Sequence, residues 1–332
     1  MAGWDLKSGS ITEYNPSEDK IWSLFNFVFS DSSRKRNTYK FGLLKALLDN
    51  VFNGKQTQEG IYFTYKELFG KFAENYWNLV VKYNLKQMRK DGKSIYSKVE
   101  VILKQVVAED NVLINIEFDS IDEKRKQLII NKVTTECKKC VVGAIYEDFE
   151  GVIYSFDLKD TGLTLNHSVY EFMLKHKSEL EKLNYYAWAR FLEQVNEDNA
   201  LIRVIEKLEL ATPKRADLSV YREILRKEFE EDTCFYCGKK LRTGIHVDHF
   251  IPWSFVKDDK IWNFVLSCPT CNVRKNNRVP EKDYLIRIEN RNKKIQVFDN
   301  TLIQTEFEGY SDDLLDRIWS YAKLSGIKEF GR

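Results

Sequence analysis

No apolar run in this 332-residue chain approaches the ~18 residues that a membrane helix needs. The early stretch Leu24-Phe25-Asn26-Phe27-Val28-Phe29 is far too short. The N-terminus lacks a basic segment followed by an apolar one, so no secretory signal is expected and the cytoplasm is the expected location. With only 5 Pro and 15 Gly, long disordered or collagen-like stretches are excluded. Charge of one sign is also missing: the net charge is +2, so the molecule as a whole is no polycation. There is no Gly-rich phosphate loop and no nucleophile elbow, which removes two large enzyme classes. Histidine is scarce, at four residues.

Core material is plentiful, with 21 Phe, 17 Tyr and 7 Trp. The length suggests two or three domains. From about 17 to 210 the pattern is mainly helical, after a loose arm over residues 1–15. Lys20–Phe29 and Tyr39–Phe52 read as helices, with Asn53-Gly54 closing the second as a C-cap. Tyr65, Phe69, Phe72, Tyr76, Leu79 and Tyr83 recur at helical steps and predict one long helix over 64–90 whose stripe is core. Further helices are expected over 97–108, 122–132, 168–183 and 185–210, and a strand of a small hairpin over 151–156. The polar stretch 211–217, with Pro213, breaks helix continuity and marks the boundary between domains 1–210 and 211–332. Ser219 fits an N-cap for a helix over 220–231.

The charge is unevenly placed. Residues 211–332 hold 22 Lys and Arg against 19 Asp and Glu, and 271–294 hold eight basic residues against three acidic. Such a stripe serves phosphate binding even in a near-neutral chain, although most charge runs are solvated faces.

All six cysteines lie in Cys-x-x-Cys pairs: Cys137/Cys140, Cys234/Cys237 and Cys268/Cys271. In a chain without a secretory signal this spacing favours metal over disulfides. Two knuckles about thirty residues apart can close a tetrahedral tetrathiolate zinc site. Cys234, Cys237, Cys268 and Cys271 are therefore the expected structural zinc ligands, with Gly238 permitting the tight turn and Pro269 stiffening the second knuckle. Four thiolates leave no position for water, so this zinc supports folding rather than catalysis. Cys137 and Cys140 are half a site, read as two ordinary thiols, with a shared zinc or a redox pair as the sharper options.

Between the knuckles, Val247-Asp248-His249-Phe250-Ile251-Pro252 sets a carboxylate beside an imidazole ahead of a Pro-stiffened turn. Asn263 lies in Trp-Asn-Phe-Val-Leu, and Asn272 follows Cys271. This arrangement over about 230–280 resembles the HNH endonuclease family and its ββα-metal fold. The match is to the subgroup with Asp-His first and Asn last, as in the nuclease domain of RNA-guided CRISPR effectors and in free-standing bacterial HNH proteins. The expected fold class is thus α+β: a mainly helical N-terminal domain, then a small zinc-stabilised ββα-metal nuclease domain and C-terminal helices.

The resemblance implies roles residue by residue. Asp248 and Asn272 would hold the catalytic metal, His249 would be the general base, and Asn263 would brace the loop and orient the His backbone. An Asn–Asp oxygen set suits Mg²⁺ or Mn²⁺. A neutral imidazole accepts a proton from water near neutral pH. In-line attack would leave 5′-phosphate and 3′-hydroxyl ends, as in the family. Lys275 and Arg278, with Arg274 behind them, are expected at flanking phosphates of DNA. His246 alternates with Asp248 on an expected strand, either supporting the metal ligands, touching a phosphate or facing solvent. His167 and His176 carry no expected role.

The leading function is a metal-dependent DNA endonuclease, acting alone, as a homodimer or with a defence-system partner, in bacterial restriction or antiphage defence. The alternative is a non-catalytic, zinc-stabilised nucleic-acid-binding module. A third reading makes the helical domain a sensor that gates the nuclease.

Overall fold

The computed structural model describes residues 5–90, 92, 94–109, 116–211, 218–227 and 233–331. The chain divides into two units, 1–214 and 215–332. Of the expected linker 211–217, all but Ala211 lies outside the described residues. No helix among the described residues is long and apolar enough to cross a membrane.

In the first unit, β1 (Ser8–Gly9), β2 (Lys55–Gln56), β3 (Ile61–Thr64), β4 (Tyr154–Asp157) and β5 (Gly162–Leu165) form one antiparallel sheet in the order β1-β4-β5-β3-β2. The expected hairpin is β4–β5. The arm is not loose, because Ser8 and Gly9 pair with Asp157 and Phe156, and Ile11 is buried. Around the sheet lie α1 (Glu18–Phe29), α2 (Tyr39–Asn50), α3 (Tyr65–Trp77), α4 (Lys98–Glu109), α5 (Glu123–Asp148), α6 (His167–Lys175), α7 (Lys177–Glu193) and α8 (Val204–Glu209). Thr64 and Glu67 form a capping box that starts α3. Its aromatic stripe is core: Phe69, Phe72 and Tyr76 are fully buried, and Tyr76 packs on Tyr39 of α2 and Trp188 of α7.

The helices expected over 168–183 and 185–210 instead break at His176, and α7 runs through residues 183–185 to Glu193, with α8 separate after it. Three further elements differ from expectation for identifiable reasons. The helix expected to reach residue 90 ends at Trp77 and relaxes into one wide turn, Asn78–Lys82, closed by Tyr83 N–H on Asn78 O. The Asn78 side chain donates to Ala211 O, tying this turn to the end of the unit. Helix α5 runs sixteen residues past the expected Lys132, to Asp148. Its buried face is Ile129, Val133, Cys137, Val141 and Ile145, a strict four-residue spacing that counts Cys137 as a hydrophobe. Gly54 is extended, not left-handed, and a Cβ there would strike Ile61 and Phe63, so close approach rather than capping requires glycine.

The second unit contains α9 (Ser219–Lys227), β6 (His246–His249), α10 (Trp253–Val256), β7 (Phe264–Ser267), α11 (Pro269–Lys275), β8 (Val279–Pro280), α12 (Lys282–Ile295), α13 (Thr301–Phe307), α14 (Asp312–Leu324) and β9 (Glu329–Phe330). Ser219 is the first residue of α9, and 228–231, expected to continue that helix, lie outside the described residues. β6 and β7 are antiparallel, and β8 pairs with β9 in parallel. Trp319 donates to Pro280 O at 2.7 Å, anchoring α14 to β8. The architecture is α+β with a helical body.

Candidate active site and metal centre

The cysteines come together. Their four Sγ atoms lie within 4.8 Å of one another, and no other group of three or more His, Cys, Asp or Glu gathers this way among the described residues. Cys237 Sγ is 3.9 Å from Cys268 Sγ. A tetrahedron of ~2.3 Å zinc–sulfur bonds has edges of about 3.8 Å, so the donor set fits zinc. Local backbone explains the convergence. Gly238 adopts φ +71 and its N–H closes on Cys234 O, turning the first knuckle tightly. Phe235 N–H donates to Leu266 O, fastening that knuckle to β7. Cys268 is the N-cap of α11 and Pro269 its first residue, which sets the second knuckle at a helix start. Burial resists ionisation of Cys268, but hydrogen bonds from the Cys271 backbone and the neighbouring thiols outweigh it and bring the thiol down to about 7. A partly ionised thiol at neutral pH favours metal capture.

Cys137 and Cys140 sit on α5, away from any such cluster. Cys137 is buried with Sγ 3.9 Å from the Tyr39 hydroxyl, and burial first of all pushes its thiol up to about 12. An inert, buried thiol is the result.

Register places the hairpin residues. His246 faces Ser267, Asp248 faces Val265 and His249 faces Phe264. Alternation sends His246 and Asp248 to one side of β6, where they meet α11: Lys275 Nζ lies 3.2 Å from Asp248 Oδ2, and Asn272 Nδ2 lies 3.4 Å from His246 Nδ1. Asn272 and Lys275 are three residues apart and share a helix face. Asp248, 9 % exposed, also accepts from the Tyr236 hydroxyl at 2.6 Å. Burial, and then the Asp248 charge, hold that phenol well above its usual range, so Tyr236 stays a donor.

His249 ends the strand on the other side, its ring 4.6 Å from that of Phe264 in an edge contact. It is 4 % exposed, and its Nε2 is 2.8 Å from Asp259 Oδ1. A carboxylate partner assigns the proton to Nε2 and leaves Nδ1 as the basic nitrogen. No hydrogen bond engages Nδ1 among the described residues, and it is not among the sealed, unpartnered polar atoms.

Asn263 is wholly buried, and both ends of its amide bind one residue: Oδ1 accepts from Ile251 N at 2.8 Å and Nδ2 donates to Ile251 O at 3.0 Å. Asn263 O also accepts from Phe250 N at 2.7 Å. The loop after His249 is thereby clamped to the start of β7.

Some residues lie elsewhere than their sequence context suggests. Lys275, expected at a phosphate, is 1 % exposed and turns inward, donating to His249 O at 2.6 Å besides pairing with Asp248. Arg291 of the basic stripe is buried too, donating to the Phe264, Ile261 and Trp262 carbonyls. Both bury a charge where it satisfies backbone acceptors at the hairpin and its approach. Arg274 and Arg278 stay exposed with no ion pair among the described residues. None of Asp248, His249 and Asn272 is hydrogen-bonded to another of the three among the described residues. Sequence patterning misses Asp259 and Tyr236. The Asp258-Asp259 pair ten residues after His249 is the available signal, but loop spacing alone does not choose a partner. It misses Glu306 as well, which accepts from the Tyr221 hydroxyl at 2.6 Å and from Ile261 N at 2.5 Å, supporting the same loop from α13.

The zinc-compatible knuckles flank an Asp-His hairpin, and a short helix continues from the second knuckle. Residues 234–278 match the family model described as HNH endonuclease. At the level of the family, that supports an endonuclease acting on nucleic acid. No curated protein and no solved structure is significantly similar to the chain.

Proposed function

We propose that the chain is a metal-dependent HNH endonuclease that hydrolyses DNA phosphodiester bonds. The observation that carries it is His249: its Nε2 is held by Asp259 while Nδ1 has no hydrogen-bond partner among the described residues, which is the arrangement of an oriented general base. His249 takes the proton of the attacking water at Nδ1, and Asp259 stabilises the imidazolium that forms. Asn263 and Lys275 fix the backbone on either side of that ring, the first at Ile251 and the second at His249 O. Arg274 and Arg278 meet flanking phosphates, and Lys275 acts as a positioning residue instead.

Asp248 and the Asn272 side-chain oxygen, on facing surfaces of β6 and α11, would hold Mg²⁺ or Mn²⁺. An oxygen-only donor set suits such hard ions. Such an ion, once held there, would supply neutralisation of the charge developing on the phosphate and the leaving oxygen. With Lys275 already on Asp248, the protein supplies little net negative charge, so the ion is expected to bind weakly until substrate phosphate completes its shell. The zinc at Cys234, Cys237, Cys268 and Cys271 is structural. A place in restriction or antiphage defence, with a partner or a second copy, rests on the resemblance alone.

The same Lys275–Asp248 pair favours the second reading, a non-catalytic zinc-stabilised nucleic-acid-binding module. Incubation with defined single- and double-stranded DNA and RNA, with product ends mapped, separates the two. Cleavage of DNA with 5′-phosphate and 3′-hydroxyl products is expected. Binding without cleavage under every divalent ion would leave the module.

A further inference from the structure

The first unit contains a cleft of about 1290 Å³, formed by the end of α1, the loop over 30–38, α5 and α7. It exceeds the ~300–1,000 Å³ of ordinary small-ligand sites. Its walls carry Arg34, Lys35, Lys40, Arg89, Lys139 and Arg190, and Asp31 is the acidic residue lining it. Some of that charge is neutralised from behind: Lys40 pairs with Asp148 at 2.5 Å and Lys139 with Glu136 at 3.7 Å. The rest is not. Lys35 donates to two neutral acceptors, Ser30 O at 2.6 Å and Ser33 O at 3.1 Å. Arg89 bonds the Gln194 amide oxygen and lies over the Phe191 ring, and Arg190 sits beside the Tyr186 hydroxyl. Arg34, Lys35, Arg89 and Arg190 have no carboxylate at ion-pair distance among the described residues. Burial first, and then the Lys40 charge, hold the Lys35 ammonium down at about 8, against the opposing pull of Asp148 and Asp31.

The cleft also has a ring for a base. Tyr186 lines it and is 59 % exposed, with Leu183 one turn earlier on α7. An exposed tyrosine ring offers a face on which a base stacks.

We propose that this cleft binds a nucleotide, with phosphates on Arg34, Lys35, Arg89 and Arg190 and the base stacked on Tyr186. The chemistry is shared by a free nucleotide and by the nucleotides of a single strand. The site would let the first unit hold a strand or read a soluble nucleotide, and it stands whether or not the HNH domain is active.

Full-length protein carrying His249→Ala, which keeps an oligonucleotide intact, is titrated with ATP and with a fluorescent oligothymidylate. At least one of the two binds. Arg34→Glu with Arg190→Glu, both exposed positions, weakens that binding about tenfold or more. For the strand it also lowers the salt slope by ~0.7 for each phosphate that loses its cation. Tyr186→Ala weakens it by about tenfold. Binding of ATP alone makes a free nucleotide the ligand, and binding of the oligonucleotide alone makes it a strand. If the reversed pair fails to fold, Arg34→Gln with Arg190→Gln gives the same direction. The proposal is overturned if neither probe binds, or if the charge variants bind as the parent does. It is equally overturned if tripolyphosphate competes as well as ATP and Tyr186→Ala changes nothing.

Discussion

Replacing Lys275 by methionine separates two roles for one lysine. In the structure its ammonium is 3.2 Å from Asp248 Oδ2 and 2.6 Å from His249 O, at 1 % exposure. Methionine keeps the length of the stem and removes the charge. Breaking a buried ion pair from one side costs about 3–5 kcal/mol, because the remaining charge is left without compensation. Asp248 keeps the Tyr236 hydroxyl and is not completely sealed, which puts its share at the low end. His249 O loses a charged donor, adding about 1.5 kcal/mol or more. A total near 4 kcal/mol corresponds to a melting shift of about 15 °C for the second unit. Thermal denaturation, DNA binding against salt, and cleavage are measured on the same preparations. Melting should fall steeply and cleavage with it, while the salt slope stays unchanged. A melting shift under ~2 °C, with a salt slope smaller by ~0.9, would show that Lys275 contacts phosphate and that its buried pairing is not what holds the hairpin.

Asp259→Asn leaves a neutral amide where the carboxylate holds His249 and would stabilise its protonated ring, and is expected to lower kcat by roughly 10–100-fold with KM unchanged, the usual effect of weakening such a partner; an unchanged kcat would remove Asp259 from the site. Cys268→Ser should drop metal analysis from one zinc per chain to nearly none and unfold the second unit, whereas Cys137→Ser with Cys140→Ser should leave zinc content alone. Glu74, buried with Oε1 unpartnered, has its carboxyl raised from about 4.5 to about 7, chiefly by burial. Its native form therefore keeps a proton that the unfolded chain gives up, so stability falls as pH climbs from about 4.5 to about 7 and stays lowered above that. Glu74→Gln should accordingly melt several degrees higher than the parent at pH 8, by up to about 3 kcal/mol, and near the parent at pH 4; equal melting at pH 8 would refute the role given to burial.

The zinc knuckles and the Asp-His hairpin are legible in the sequence because their meaning is local, whereas Asn263 is singled out only by the resemblance, its partner Ile251 lying twelve residues away. Two residues between sulfurs, or alternation along four strand residues, fix geometry without knowing the rest of the chain. The partners of His249 and Asp248 are not legible. Asp259 and Tyr236 arrive through a loop and a knuckle, and sequence distance says nothing about which side chain they meet. Lys275 misleads for the opposite reason. A cation one turn after Asn272 reads as exposed, yet the four-residue turn of α11 carries it to the β6 face that also holds Asp248. In the first unit, periodicity finds the aromatic stripe of α3 but overruns its end, since Asn78 diverts the backbone through a tertiary contact with Ala211. Half of α5 is hidden because Cys137, whose spacing suggests a ligand, packs as an apolar side chain. The arm joins a sheet through two residues, too few for any pattern to reveal.

The most direct measurement is plasmid cleavage with Mg²⁺ by the full-length chain and by His249→Ala, with melting temperature and zinc content matched between them. Mg²⁺-dependent cutting by the parent is predicted, with a loss of about 100-fold or more in the variant, the scale of general-base catalysis. Equal cutting by both would contradict it, because the base would then lie elsewhere than at His249 Nδ1.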